Sequence, residues 1–256
     1  MLKVRVIPIV MLDGYSVVKT IKFSTRRNLG NPITVAQIYN TRNVDELILL
    51  DIDASKHEEK IDQFIISEIS SKCFMPLTVG GGIRSVDDVR LLLKAGADKV
   101  VINSEGYRNP QLIKECSDEF GSQCIVGSVD VKKESDGSYK CYSNGGVQAT
   151  GKDPMQWIES LEDFGVGEII INSIDRDGTM AGYDIELIEK ISQHVGVPLI
   201  VAGGAKDEMD CVKAMKAGAN AISAASIFHF TDITPEQVKN ELKENGYPVR
   251  KIFSRN

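Results

Sequence analysis

Short β-branched apolar runs recur along the chain: VRVIPIV at 4–10, ELILLDID at 46–53, PLTVG at 76–80 and KVVIN at 99–103. They continue as CIVGSVDV at 124–131, EIIINSI at 168–174, PLIVAG at 198–203 and AISAAS at 221–226. These runs are nearly continuous in apolar residues, the pattern of parallel strands covered on both faces. Between most of them lie segments of helix length with apolar residues three and four apart. In SVDDVRLLLKAGA, Val86, Val89, Leu92 and Leu93 share one face, Ser85 predicts the N-cap and Gly96 the stop. Eight strand–helix units in 256 residues predict an α/β fold, a (β/α)8 TIM barrel, with a doubly wound open sheet as the alternative. The polar stretch KKESDGSYKCYSNGG at 132–146 carries an Asp-Gly pair between alternating residues and predicts a hairpin after strand five.

The pattern is also written twice. LTVGGGIRSVDDVRLLLKAGADKVVIN (77–103) returns as LIVAGGAKDEMDCVKAMKAGANAISAA (199–225), and Gly81 matches Gly203, Lys94 matches Lys216 and Gly96 matches Gly218 at one offset. The same offset relates Glu46 to Glu168, Asp53 to Asp175 and Ser104 to Ser226. This repeat favours the closed barrel: one domain over 1–256, made of half-barrels at about 1–125 and 126–256. It also points to a ligand with two similar ends. Small residues follow strands three and four (VGGGI, NSEG) and strands seven and eight (AGGA, ASIF). There, backbone N–H groups and helix N-termini can approach an anion, so a bisphosphate is expected. The competing reading is that these glycines only make tight turns.

Composition adds limits. Charged residues at 26% and hydrophobic ones at 42% are ordinary for a soluble globular chain. A net charge of −6 argues against protein-wide attraction to nucleic acid or acidic membrane. Five cysteines, none in CxxC spacing, and three histidines give no zinc constellation, and no metal or cofactor is expected. With no signal peptide and no apolar run of about 18 residues, the expectation is a reduced, cytoplasmic protein.

The strings RVIP, VVK, DELILLDI, VGGGIRS, AGADKVVIN, FGSQ, SIDRDGT, GYD and AASIFHF stand in one order along essentially the whole chain. In this they resemble the HisF family, the cyclase subunit of imidazole glycerol phosphate synthase. The resemblance implies a twofold-repeated barrel that binds a bisphosphorylated aminoimidazole-carboxamide ribonucleotide and receives ammonia from a HisH-type glutaminase. It implies one phosphate at Gly82, Asn103 and Ser104 and the other at Asp177, Gly178, Gly204, Ala225 and Ser226, with Lys19 reaching over from a flexible loop after strand one. It also implies an ammonia gate of Arg5, Glu46, Lys99 and Glu168 at the barrel bottom, with Asp98 at the glutaminase contact. A structural ion-pair plug is the plainer reading of those four charges.

The family's acid–base pair is two aspartates at the ends of strands one and five. Asp130 supplies the second. Where the family reads roughly PCLDVKDG, this chain reads PIVMLDG, which places Met11 at the first. A thioether transfers no proton at neutral pH, and Asp13 takes the role only if strand one ends differently. VIPIVMLDGYSVVKTIKF and IYNTRNVDELILLDIDAS resemble divergent HisF-like proteins paired with HisH-like glutaminases and linked to acetamidino groups on bacterial surface sugars. The favoured expectation is therefore ammonia transfer in surface-sugar biosynthesis, with a sugar amidotransferase as a possible further partner. The alternatives are a true cyclase subunit of histidine biosynthesis and a non-catalytic ammonia conduit.

Overall fold

Along strand one, Ile7, Ile9 and Met11 enter one apolar cluster while Val6, Val10 and Leu12 enter another. Side chains of a strand alternate between faces, so this sorting separates a small inner core from a larger outer one beneath the helices. The computed structural model describes residues 3–251. The barrel strands are β1 (Arg5–Asp13), β2 (Leu47–Asp51), β3 (Leu77–Gly80), β4 (Lys99–Ile102), β5 (Ile125–Lys133), β6 (Glu168–Ser173), β7 (Leu199–Ala202) and β8 (Ala221–Ala224). Every neighbouring pair is parallel. β1 pairs with both β2 and β8, Ile9 lying opposite Ile48 and Arg5 opposite Ala221, which closes the barrel and excludes the open sheet.

The helix Val86–Lys94 is built as its sequence predicts. The Ser85 hydroxyl accepts the Asp88 N–H at 3.2 Å and the Asp88 carboxylate accepts the Ser85 N–H at 3.0 Å, a capping box. Val89 and Leu92 are buried on the barrel, with Val86 and Leu93 packed at the margin.

The half-repeat is physical as well as textual. Leu77 N–H donates to Asp98 at 2.8 Å, and Leu199 N–H donates to Asn220 at 2.8 Å. Ser70 donates to the Ala95 carbonyl at 3.1 Å, and Ser192 to that of Ala217 at 3.0 Å. Asp88 accepts the backbone N–H groups of Arg84 and Ser85, and Asp210 those of Tyr183 and Lys206.

Two additions sit at the C-terminal end of the barrel. The hairpin after strand five is present, with β5 antiparallel to Tyr139–Ser143 and Lys133 opposite Tyr139. A second ribbon, Ser16–Ile21 with Thr25–Gly30, continues from β1, Met11 opposite Val18. Its outer strand, TRRNLG, is almost wholly exposed and has no apolar alternation to announce it. All five cysteines are unpaired. Among the described residues no helix is long and apolar enough to cross a membrane.

Candidate active site

The alternation that sorts the core also builds the two ends of the barrel interior. Inner positions at the N-terminal end carry Arg5, Lys99 and Glu168; those at the C-terminal end carry Met11, Asp130 and Asn172. One cavity opens at the C-terminal end. Met11, Lys19, Gly82, Asn103, Ser104, Asp130, Asp177, Gly178, Gly204, Ala225 and Ser226 all line it. The sequence therefore brings its candidate ligand and catalytic positions into one space.

Asp130 lies on β5 between Asn172 of β6 and Tyr142 of the hairpin. Its carboxylate accepts a hydrogen bond from the Asn103 amide at 2.8 Å. Burial raises the Asp130 carboxyl to about 7, the Asn103 bond opposing the rise and Asp177 adding to it. A carboxyl poised there can give or take a proton near neutral pH. Asn103 thus acts first on Asp130, and among the described residues its buried Oδ1 has no hydrogen-bond partner.

No carboxylate stands at the β1 position across the barrel. Met11 is buried in the inner core, its sulfur 3.8 Å from the Thr20 hydroxyl. Asp13 does not replace it. It sits past the cavity at the exposed end of β1 and pairs with Arg26 at 2.7 Å.

The two small-residue loop pairs lie at opposite sides of the mouth. The short helices Ser104–Arg108 and Ser226–Phe230 both begin without a side-chain cap. The Ser104 hydroxyl accepts the Asn144 N–H at 3.0 Å, whereas the buried Ser226 hydroxyl has no partner among the described residues. Gly82 has φ +68, and a Cβ there would come within 1.9 Å of the Glu59 carbonyl. This close approach of backbone to backbone requires glycine. The Asp177 carboxylate is already committed: it accepts from Thr20 at 2.7 Å and from Lys19 at 3.0 Å. Any anion contact at this loop therefore falls to backbone N–H groups and Lys19.

The expectation that Lys19 lies in a loop is corrected. Lys19 lies on the strand Ser16–Ile21, is only 5% exposed, and is pinned by Asp177 under an ordered ribbon. The cause is the continuation of β1 into antiparallel pairing, which orders the segment.

At the opposite end of the barrel the four predicted charges form an alternating ring. Arg5 bridges Glu46 at 2.8 Å and Glu168 at 2.9 Å, and Lys99 bridges Glu46 at 3.1 Å and Glu168 at 3.0 Å. The Thr78 hydroxyl adds a 2.6 Å bond to Glu46. Each cation touches both carboxylates, so the charges are mutually satisfied where solvent is mostly excluded. Asp98 stands at this end, with one carboxylate oxygen taken by the Leu77 N–H.

Several cavity residues escape the sequence reading. Asp51 lines the cavity and accepts the N–H groups of Asp53 and Ala54; burial raises its pKa against those two bonds. Its signal was its place at the C-terminal end of a barrel strand. Asn172 brings a buried, unpartnered Oδ1 among the described residues. Thr20, Phe23 and Lys56 also line the cavity and gave no motif.

A family model described as "Histidine biosynthesis protein" matches residues 5–234. The chain is 45% identical over 254 residues to the "Imidazole glycerol phosphate synthase subunit HisF" of Thermobifida fusca, covering 97% of this chain and 99% of that protein. Proteins of the same name from Dictyoglomus thermophilum (46% over 250 residues, 98% of this chain and 99% of that protein) and Streptomyces griseus (43% over 249 residues, 97% and 99%) are similar. These names support the imidazole glycerol phosphate synthase reading over the surface-sugar reading, which none of the three carries.

Proposed function

The chain belongs to the histidine biosynthesis protein family, among the HisF subunits, and from that premise we propose that it is the barrel subunit of an imidazole-glycerol-phosphate-synthase-type assembly. A HisH-type glutaminase docks at the N-terminal end. Its ammonia passes the Arg5–Glu46–Lys99–Glu168 ring and crosses the barrel to a bisphosphorylated ligand in the cavity. Asp130 moves the proton. The observation that carries this reading is the paired-charge ring closing the barrel floor directly beneath a cavity whose two sides repeat the same small-residue loops. Ammonia in neutral water is mostly protonated and unreactive; passage through the apolar inner core, which holds Ile7, Ile48, Val101 and Ile170, delivers it as the neutral nucleophile.

A second reading is favoured by Met11. With one carboxyl in place of two, ammonia is delivered to a different acceptor, with surface-sugar amidination as the candidate setting and Asp130 idle. One assay separates the two. The chain is incubated with ammonium salt and the aminoimidazole-carboxamide ribonucleotide, and imidazole glycerol phosphate is measured. Under the first reading cyclisation is present but about 10²- to 10⁴-fold below an ordinary enzyme, because one acid–base group is missing. Asp130→Asn then abolishes it and Met11→Asp raises it. Background product in all three proteins, with glutamine hydrolysis intact in the glutaminase complex, overturns the first reading and leaves ammonia delivery away from this cavity.

A further inference from the structure

The loops at the mouth offer an anion only backbone dipoles and hydroxyls, and a phosphoryl dianion in a partly enclosed cavity calls for a full positive charge. The Gly204–Ser226 side has one in Lys19, beside Asp177. On the Gly82–Ser104 side the repeat supplies no second Lys19. A different lysine lines the cavity there, Lys56, in the loop after β2.

The surroundings of Lys56 point inward. Its ammonium lies 3.3 Å from Asp53, and its side chain is 27% exposed. Asp53 is already held by both terminal nitrogens of Arg26, one of which also holds Asp13. The Lys56 contact is the longer one, and an ammonium has three donors. A lysine that served Asp53 alone would duplicate Arg26.

The other neighbour of Lys56 is the hairpin loop. A Cβ on Gly145 would lie 3.0 Å from the Lys56 ammonium nitrogen. Asn144, Gly145 and Gly146 are successive left-handed residues with φ 52, 64 and 77. Asn144 donates its N–H to Ser104, which ties that loop to the first phosphate position. The offset that carries Gly82 to Gly204 and Ser104 to Ser226 also carries Lys56 to Gly178, which lines the second phosphate position.

We propose that Lys56 is a ligand-binding residue whose ammonium pairs with the phosphoryl group seated at Gly82 and Ser104, so that this end selects a phosphomonoester over a neutral hydroxyl. The inference rests on the two-phosphate reading of the cavity. It makes the two ends chemically alike although their cations come from unrelated segments, the ribbon after β1 and the loop after β2.

The test is calorimetric titration of the intact chain with ribulose 1,5-bisphosphate and, separately, ribose 5-phosphate. Lys56→Gln is expected to weaken bisphosphate binding about 10- to 100-fold, the range of one lost charge-assisted contact. Lys56→Arg should restore affinity to within about threefold, and Lys60→Gln, in the same loop, should change nothing. The advantage of bisphosphate over monophosphate should shrink in Lys56→Gln, and the salt dependence of binding should flatten. Equal affinity of Lys56→Gln and wild type overturns the proposal and leaves Lys56 as a partner of Asp53. A loss in Lys56→Gln that Arg does not restore overturns it too, because the effect then comes from loop packing. If the wild type binds neither probe, the two-phosphate reading falls and this inference falls with it.

Discussion

Asp130 and His229 bias the pH dependence of folding in opposite directions. Burial holds the Asp130 carboxyl near 7, whereas an unfolded aspartate titrates near 4. Between those values the folded chain keeps a proton the unfolded chain has lost, so this contribution to stability falls as pH rises. His229 is bonded to Tyr39 and depressed to about 4, by burial first and then by Lys19 and Arg42. Here the unfolded chain binds the extra proton from about 6.5 down to 4, so this contribution rises with pH. Removing one group exposes the other. Asp130→Asn is expected to gain stability relative to wild type by on the order of 4 kcal/mol between about pH 4 and pH 7. Urea denaturation at a series of pH values measures this directly. A wild-type-minus-variant difference that stays constant across the range would falsify the placement of the Asp130 titration.

At the scale of elements, the ribbon after β1 forms one side of the mouth. It is held through Lys19 and Thr20 to Asp177 and through Arg26 to Asp13 and Asp53. It also needs a particular partner surface: Gly178 has φ +71, and a Cβ there would meet the Thr20 carbonyl at 2.1 Å. Gly178→Ala therefore both strains a left-handed residue and pushes the ribbon away. The expected result is faster proteolysis within residues 16–30 and bisphosphate affinity lowered by roughly tenfold, with the barrel's far-UV circular dichroism intact. Unchanged cleavage and unchanged binding would show that the ribbon seats without Gly178. The hairpin after β5 was legible because Asp-Gly sits between alternating residues. The ribbon was not, because strand pairing alone orders a polar segment such as TRRNLG.

Taken whole, the molecule is a closed tube with a charged floor and an open mouth, and its floor couples four strands. Glu46 and Glu168 each meet Arg5 and Lys99, so removing Lys99 leaves two largely buried carboxylates sharing one guanidinium. Lys99→Ala is expected to destabilise the chain by on the order of 3 kcal/mol, seen as a lower Tm. In the glutaminase complex it should reduce glutamine-driven product more than ammonium-driven product, because the mouth, at the other end of the barrel, is untouched. Equal loss with both nitrogen sources would make the ring a structural plug. Asp98 is a weaker probe of docking, since its repeat mate Asn220 makes the same backbone bond to the following strand's partner and thus a purely structural role is already filled.

Local order reaches the sequence through periodicity, and so the sequence by itself determined the eight strands, their covering helices and the half-repeat. Caps were legible for the same reason, as with Ser85, because capping is a contact between residues three apart. Tertiary structure decided what depends on residues distant in the chain. Asp177 was read as a phosphate residue, but its carboxylate is spent on Lys19 and Thr20, more than 150 positions away. Asn103 reaches Asp130 because β4 and β5 are neighbours in a closed barrel. The Asp130 shift arises from burial that only closure creates. No spacing rule in the sequence encodes such contacts, because they are fixed by how strands meet around a barrel.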